Sequence, residues 1–314
     1  MSVITATLSF DKNGFGKTHM PIPRMFLEAV LAGFYIAVAG VASTIGASTI
    51  TNSSVAKVVQ AIIFPAGLGL VVLNGAELFT GNSLLIISLW DKTIDVMHLL
   101  KNWGIVYLGN FAGSLLVSLL TVYGGVFKAF NNKAAISATS IAITKCNLSF
   151  QDAFLKGIMC NILVCVAVMI ALEDAAAAHK LMNLYLPIFM FVLSGYEHSI
   201  ANMSYIPIGL LLKHDNQVNN SDGLFLNSAN WGKFFYKNLI PVTLGNIVGG
   251  VAIGTSYWFN KIYMVNYAKK VDEEKKKENV NKEKNDNASE IENSKKNNDT
   301  NNLNLNADTF RKII

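Results

Sequence analysis

Two stretches of this chain repeat one pattern: Gly75-Ala76-Glu77-Leu78-Phe79-Thr80-Gly81-Asn82 and Gly195-Tyr196-Glu197-His198-Ser199-Ile200-Ala201-Asn202. Each reads Gly-x-Glu, four residues, Asn, and each lies midway along an apolar run long enough to cross a membrane. A carboxylate at bilayer depth costs about 3 kcal/mol or more unless it faces a cavity or a partner. Finding the arrangement twice predicts a duplicated scaffold with a polar site between its halves. That is the signature of a transporter or channel.

Composition agrees. Charged residues make up only 15% of the chain, against about 25% in soluble domains. From Lys261 onward there are twelve Lys/Arg and ten Asp/Glu, so the first 260 residues are nearly neutral. The net charge of +5 is therefore no argument for nucleic-acid binding. Cys146, Cys160 and Cys165 give neither a disulfide framework nor zinc spacing, and no metal or cofactor motif is present. Met1 to Lys17 lacks the basic-then-apolar pattern of a cleaved signal, so insertion is expected to begin with the first membrane segment.

Six segments are predicted. The first begins near Phe26, after Pro21 and Pro23, and the stretch 1–25 before it is expected to lie along the interface. The second, about Val58 to Trp90, would extend about 50 Å as one straight helix, against a hydrocarbon core of about 30 Å. It must bend or break, and Gly75 to Asn82 is the place. Segments three and four run from about Asn102 to Phe127 and from about Phe154 to Leu172, the latter ending at Glu173-Asp174. The fifth, Leu181 to Leu212, is again too long and again carries its polar insert at the centre. The sixth spans about Asn238 to Tyr263.

The repeat extends to every segment. Lys101-Asn102 precedes Leu108-Gly109-Asn110 at the spacing with which Lys237-Asn238 precedes Leu244-Gly245-Asn246. Phe26-x-x-Ala29-Val30-x-Ala32-Gly33 parallels Phe154-x-x-Gly157-Ile158-x-Cys160-Asn161. Three crossings per half is odd, so the halves, about 26–127 and 154–263, must be inverted, with a midplane site built from two broken helices. Gly109, Gly113, Gly245 and Gly249 have the small-x-x-x-small spacing of close helix packing. The remainder, 264–314, is rich in Lys, Glu, Asn and Asp and reads as a disordered charged tail. Its lysines place both termini on the cytoplasmic side.

Together these motifs, with Cys160-Asn161-x-Leu163-Val164-Cys165, resemble the formate–nitrite transporter family over about residues 10 to 268. The resemblance implies an all-α membrane protein, a homopentamer of protomers with an aquaporin-like hourglass fold, sitting in the lipid bilayer of the plasma membrane. It implies transport of small monovalent anions or their neutral acids (formate, lactate, acetate, nitrite), with a proton. By motif, His198 becomes the central pore histidine, Thr80 and Asn161 its polar neighbours, and Leu78, Phe79 and Val164 the apolar constriction. Lys17 and Lys145 become the vestibule lysines that attract the anion. Glu77, Glu197, Asn82 and Asn202 are expected to brace the breaks by accepting and donating hydrogen bonds to freed backbone. An unperturbed histidine titrates near neutrality, which suits His198 to proton handling.

Two other function classes fit less well. An intramembrane hydrolase built on Glu197 and His198 would need a nucleophile or metal ligands, and the chain has no HExxH and no GxSxG. An aquaporin-like channel for small neutral solutes would carry two Asn-Pro-Ala boxes, and this chain has none. The chain is not expected to be an enzyme.

Overall fold

The structure, a computed structural model, describes residues 3–172, 176–213, 218 and 225–311. It is helical, with no β-strand among the described residues. In order run α1 (Val3–His19), α2 (Ile22–Ala47), α3 (Ser53–Ile63), α4 (Pro65–Asn74), α5 (Phe79–Asn82), α6 (Ile86–Trp90) and α7 (Val96–Tyr123). Then come α8 (Lys133–Cys146), α9 (Phe150–Leu172), α10 (Ala177–Leu193), α11 (Ser199–Leu212) and α12 (Ile240–Arg311). Among the described residues five helical stretches are long and apolar enough to cross a membrane: Ile22–Ala47, Ser53–Asn74, Val96–Tyr123, Phe150–Leu172 and Trp231–Lys282. Glu173 and Asp174, where the sequence ends the fourth segment, lie outside the described residues.

The chain divides into two units, Met1–Asn260 and Lys261–Ile314. The first holds the apolar core. The second is helical through Arg311, whereas its composition predicts disorder from about residue 264. Local chemistry favours the helix: Asp272, Glu273 and Glu278 each stand four residues ahead of a lysine, the orientation that supports an isolated helix.

In the first unit the apolar cluster around Ile36, Leu68, Val164, Phe191 and Ile206 is fully buried. Large apolar side chains such as Leu108, Leu120, Met182 and Leu186 are turned outward, as expected of a surface that meets lipid or another subunit. Helix α1 is docked rather than free: Ala6 and Phe10 are buried with Leu84, Leu85 and Met169. Helices α2 and α7 cross at Gly113, where an added Cβ would strike the backbone of Val30. Helices α9 and α12 cross likewise at Gly249, against the backbone of Ile158. A side chain at either glycine would force the helices apart.

Both polar inserts interrupt helix in the same manner. Helix α4 ends at Gly75 (φ 63) and α10 just before Gly195 (φ 69). The left-handed glycine turns the chain so that the next N–H reaches back: Ala76 to the Val71 carbonyl (3.0 Å) and Tyr196 to that of Phe191 (3.2 Å). This is the glycine-terminated C-cap, which satisfies carbonyls the helix would otherwise orphan. The chain then runs without helix through Ala76–Leu78 and Tyr196–His198 before α5 and α11 begin. The two halves differ at the entry to their last helices. Asp95 caps α7 by accepting from the His98 N–H (2.8 Å). Asn230 caps Trp231–Lys233 by accepting from the Lys233 N–H (2.9 Å), and a π-helical turn, Phe234–Leu239, follows before α12. A π turn holds one extra residue.

Candidate functional site

The two interruptions are clamped by one hydrogen-bond scheme used twice. On the first, the Glu77 N–H donates to the Glu28 carbonyl of α2 (3.3 Å); on the second, the Glu197 N–H donates to Lys156 of α9 (3.3 Å). Asn110 of α7 donates to the carbonyls of Ala29 (2.7 Å) and Glu77 (2.9 Å) and accepts from the Phe79 N–H (2.9 Å). Asn246 of α12 donates to Gly157 (2.8 Å) and Glu197 (3.0 Å) and accepts from the Ser199 N–H (2.9 Å). Each amide thus serves two backbone groups of the break and ties them to a carbonyl of a neighbouring helix. In an apolar interior an unsatisfied group costs about 1–3 kcal/mol.

The carboxylates are paired. Lys17 Nζ lies 2.6 Å from Glu77 Oε1, and Lys145 Nζ lies 2.8 Å from Glu197 Oε1. Asn82 donates to Glu77 (2.7 Å) and to Asn102 (2.9 Å), whose own amide donates to the Lys17 carbonyl (3.3 Å). Asn202 donates to Glu197 (2.7 Å) and to Asn238 (2.8 Å), whose amide donates to the Lys145 carbonyl (3.0 Å). Two closed rings of lysine, glutamate and two asparagines result. Each removes the cost of a bare buried charge.

Between the rings lies the polar centre. His198 Nε2 is 3.0 Å from Thr80 Oγ1, so the pair joins the two interruptions. His198 is also the N-cap of α11, its Nδ1 accepting from the Ala201 N–H (3.1 Å). A neutral ring that accepts at Nδ1 carries its proton on Nε2, facing Thr80. Two cavities flank the centre. One, of about 450 Å³, is lined by Lys17, Glu77, Leu68, Leu78 and Asn82. The other, of about 80 Å³, is lined by Lys57, Gln60, Lys145, Phe191, His198 and Asn202.

A family model for formate/nitrite transporters matches residues 5–259. The chain belongs to the formate/nitrite transporter family. A probable formate transporter of Methanothermobacter thermautotrophicus is 35% identical, over 77% of this chain and 90% of its own. The formate channel FocA of Escherichia coli K12 is 35% identical over 81% and 91%. A solved pentameric formate channel with formate bound superposes with TM-score 0.69 at 35% identity, covering 77% of this chain and 98% of its own. A solved ion channel of the same family gives TM-score 0.72 at 25% identity, over 82% and 98%. The members compared are transporters and channels rather than enzymes, and this chain is a multi-pass membrane transporter of that family.

Within this formate/nitrite transporter the residues singled out from sequence fall into four groups. Thr80 and His198 are in contact. Glu77, Glu197, Asn82, Asn202, Lys17 and Lys145 form the two rings, so each lysine is held by a buried carboxylate instead of standing free at a cavity. Asn161 makes no hydrogen bond to His198 among the described residues and is not among the lining of the two cavities above. Its amide donates to the carbonyls of Thr80 (3.2 Å) and Asn246 (2.6 Å) and to Ser83 Oγ (3.3 Å), tying the first interruption to α12. Leu78 faces the larger cavity, whereas Phe79 and Val164 are buried away from both. Phe79 packs edge-on to Tyr107, 4.8 Å between centroids.

Sequence reasoning missed Asn102, Asn110, Asn238 and Asn246 as site-building residues, and Lys57, Gln60 and Phe191 as cavity residues. For the four asparagines the signal was present. They recur at matched positions in the two halves, but the glycines beside Asn110 and Asn246 drew that part of the repeat toward packing alone.

Proposed function

We propose that this chain forms a homopentamer in the plasma membrane, with both termini cytoplasmic, and that each protomer passes small monovalent carboxylates of the formate type together with a proton. Each protomer is read as six crossings in two inverted halves, about 26–127 and 154–263, around an aquaporin-like hourglass. The pentamer and the formate substrate come by analogy with the solved pentameric channel, which is 35% identical. Inversion is supported by a contact between equivalents. Tyr107 and Thr243 occupy the same place in the two halves, and their hydroxyls lie 2.8 Å apart. A residue meets its own counterpart where a two-fold axis passes between the halves.

The observation that carries the reading is the Thr80–His198 pair, buried between two lysine-bearing cavities. A small carboxylate loses its hydration at such a centre, and as an anion it would meet a large desolvation penalty. It crosses as the neutral acid, taking its proton from cavity water. The Nε2–H of His198 and the hydroxyl of Thr80 replace the lost water as hydrogen-bond partners. Making His198 an imidazolium would break its cap on the Ala201 N–H and place a positive charge at the positive end of α11. It therefore acts as a neutral donor.

Purified protein in proteoliposomes tests this, with the pH gradient set independently of the membrane potential. Formate uptake should rise as external pH falls, and each formate should carry a proton. Uptake that ignores pH, or that matches empty vesicles, overturns the reading. A panel of formate, acetate, lactate and nitrite then fixes the substrate range.

A further inference from the structure

In each ring the lysine is already matched by a carboxylate, so neither ring presents a net positive charge. The larger cavity is lined by four charged side chains, Lys17, Arg24, Glu28 and Glu77. They form two ion pairs, Lys17–Glu77 at 2.6 Å and Arg24–Glu28 at 2.8 Å. Its charges cancel.

The smaller cavity does not balance. Lys145 is held by both carboxylate oxygens of Glu197, at 2.8 and 2.9 Å. Lys57 also lines this cavity, and among the described residues it makes no hydrogen bond and no ion pair. That leaves one positive charge in excess. Its placement is fixed by α3, where Lys57 and Gln60, with Phe64 capping the helix end, recur at helical spacing and all three line the cavity. The same wall therefore offers an ammonium, then an amide donor, then an aromatic ring on the way to His198.

We propose that Lys57 is the anion-capturing residue of this protein, holding a small carboxylate in the His198-side cavity, beside Gln60, before it gives up its charge at the centre. This rests on the transport reading above and adds to it the residue that concentrates the substrate. Lys17 and Lys145 then keep the rings in shape, and the two mouths differ in field: one neutral, one positive. A cleft of one sign walled by apolar residues raises the local concentration of its counter-ion, and salt screens the effect.

The test is formate flux in proteoliposomes for Lys57→Gln, Lys57→Arg and, as a charge control on a lysine lining neither cavity, Lys128→Gln. At low ionic strength Lys57→Gln should raise KM for formate about tenfold, with maximal flux little changed. The difference should shrink at high salt, and Lys57→Arg should restore wild-type KM. Size-exclusion profile and melting temperature establish that each variant is assembled. An active wild type with a Lys57→Gln variant of unchanged KM overturns the assignment, as does an equal shift in Lys128→Gln. A wild type without formate flux refutes the transport reading instead. If Lys57→Gln does not assemble, Lys57→Met is read by the same KM and salt criteria.

Discussion

The two halves of the membrane body share a backbone scheme and differ at a few side chains. Both stop a helix on a left-handed glycine, both clamp the break with an asparagine from a distant helix, and both neutralise a glutamate with a lysine. Counting from those glutamates, Leu78 and His198 hold the same slot, and so do Thr80 and Ile200. Leu78 begins its helix with no side-chain cap, whereas His198 caps α11. The chemistry of the centre thus comes from one polar residue per half, placed at unequal steps along equivalent loops.

The comparison is broken most severely by making the halves alike. His198→Leu should lower formate flux about 100-fold or more, the usual cost of losing a donor from a dry polar centre, with the assembly unchanged by size exclusion. If flux survives, His198 is a cap and nothing else. Next come the rings. Glu197→Ala strands Lys145, whose side chain is 15% exposed, and should destabilise the protein by about 3–5 kcal/mol in detergent unfolding. Glu77→Ala strands Lys17, which is 25% exposed and opens on the larger cavity, so its loss should be the smaller of the two. Equal losses would mean that cavity size does not matter.

Thr80→Val should cost about 1.5 kcal/mol at the centre, read as a flux reduced about tenfold. Thr80→Ser should restore most of it. The smallest effect concerns the caps. The backbone N–H of His98 holds the Asp95 carboxyl below its usual range, and the His98 side chain adds to this. A depressed carboxyl stabilises above its unfolded pKa and loses that contribution as pH falls through its folded value. Acid should therefore loosen the start of α7, by hydrogen exchange, and leave the Asn230-capped start unaffected. Asp95→Asn should remove the acid dependence.

The all-helical membrane class and the family were legible because each left a local mark. A charge inside an apolar run, a glycine where helix must stop and a repeated spacing all survive in one dimension. Partnerships did not. Asn161 was set beside His198 from the motif resemblance alone. In the repeat it stands where the first half has Gly33, which packs directly against the Asn110 backbone, whereas the Asn161 amide donates to the Asn246 carbonyl. Lys57 was invisible for the opposite reason. On α3 it looks like any lysine near a membrane boundary, and only the fold brings it round to the cavity of a histidine far along the chain. For Lys17 and Lys145 the charge was counted without the glutamates that pair with them.

The π turn at Phe234–Leu239 also has a mechanical consequence. Asn230 must cap the helix start while Asn238 meets both Asn202 and the Lys145 carbonyl. Excising a single residue between them would let the coil close to ordinary pitch. Everything on one side would then swing by about 100°, so the cap or the ring would be lost. The second half is therefore geared to an exact residue count at that spot, and insertions or deletions there should be tolerated less well than in the matching stretch after Asp95.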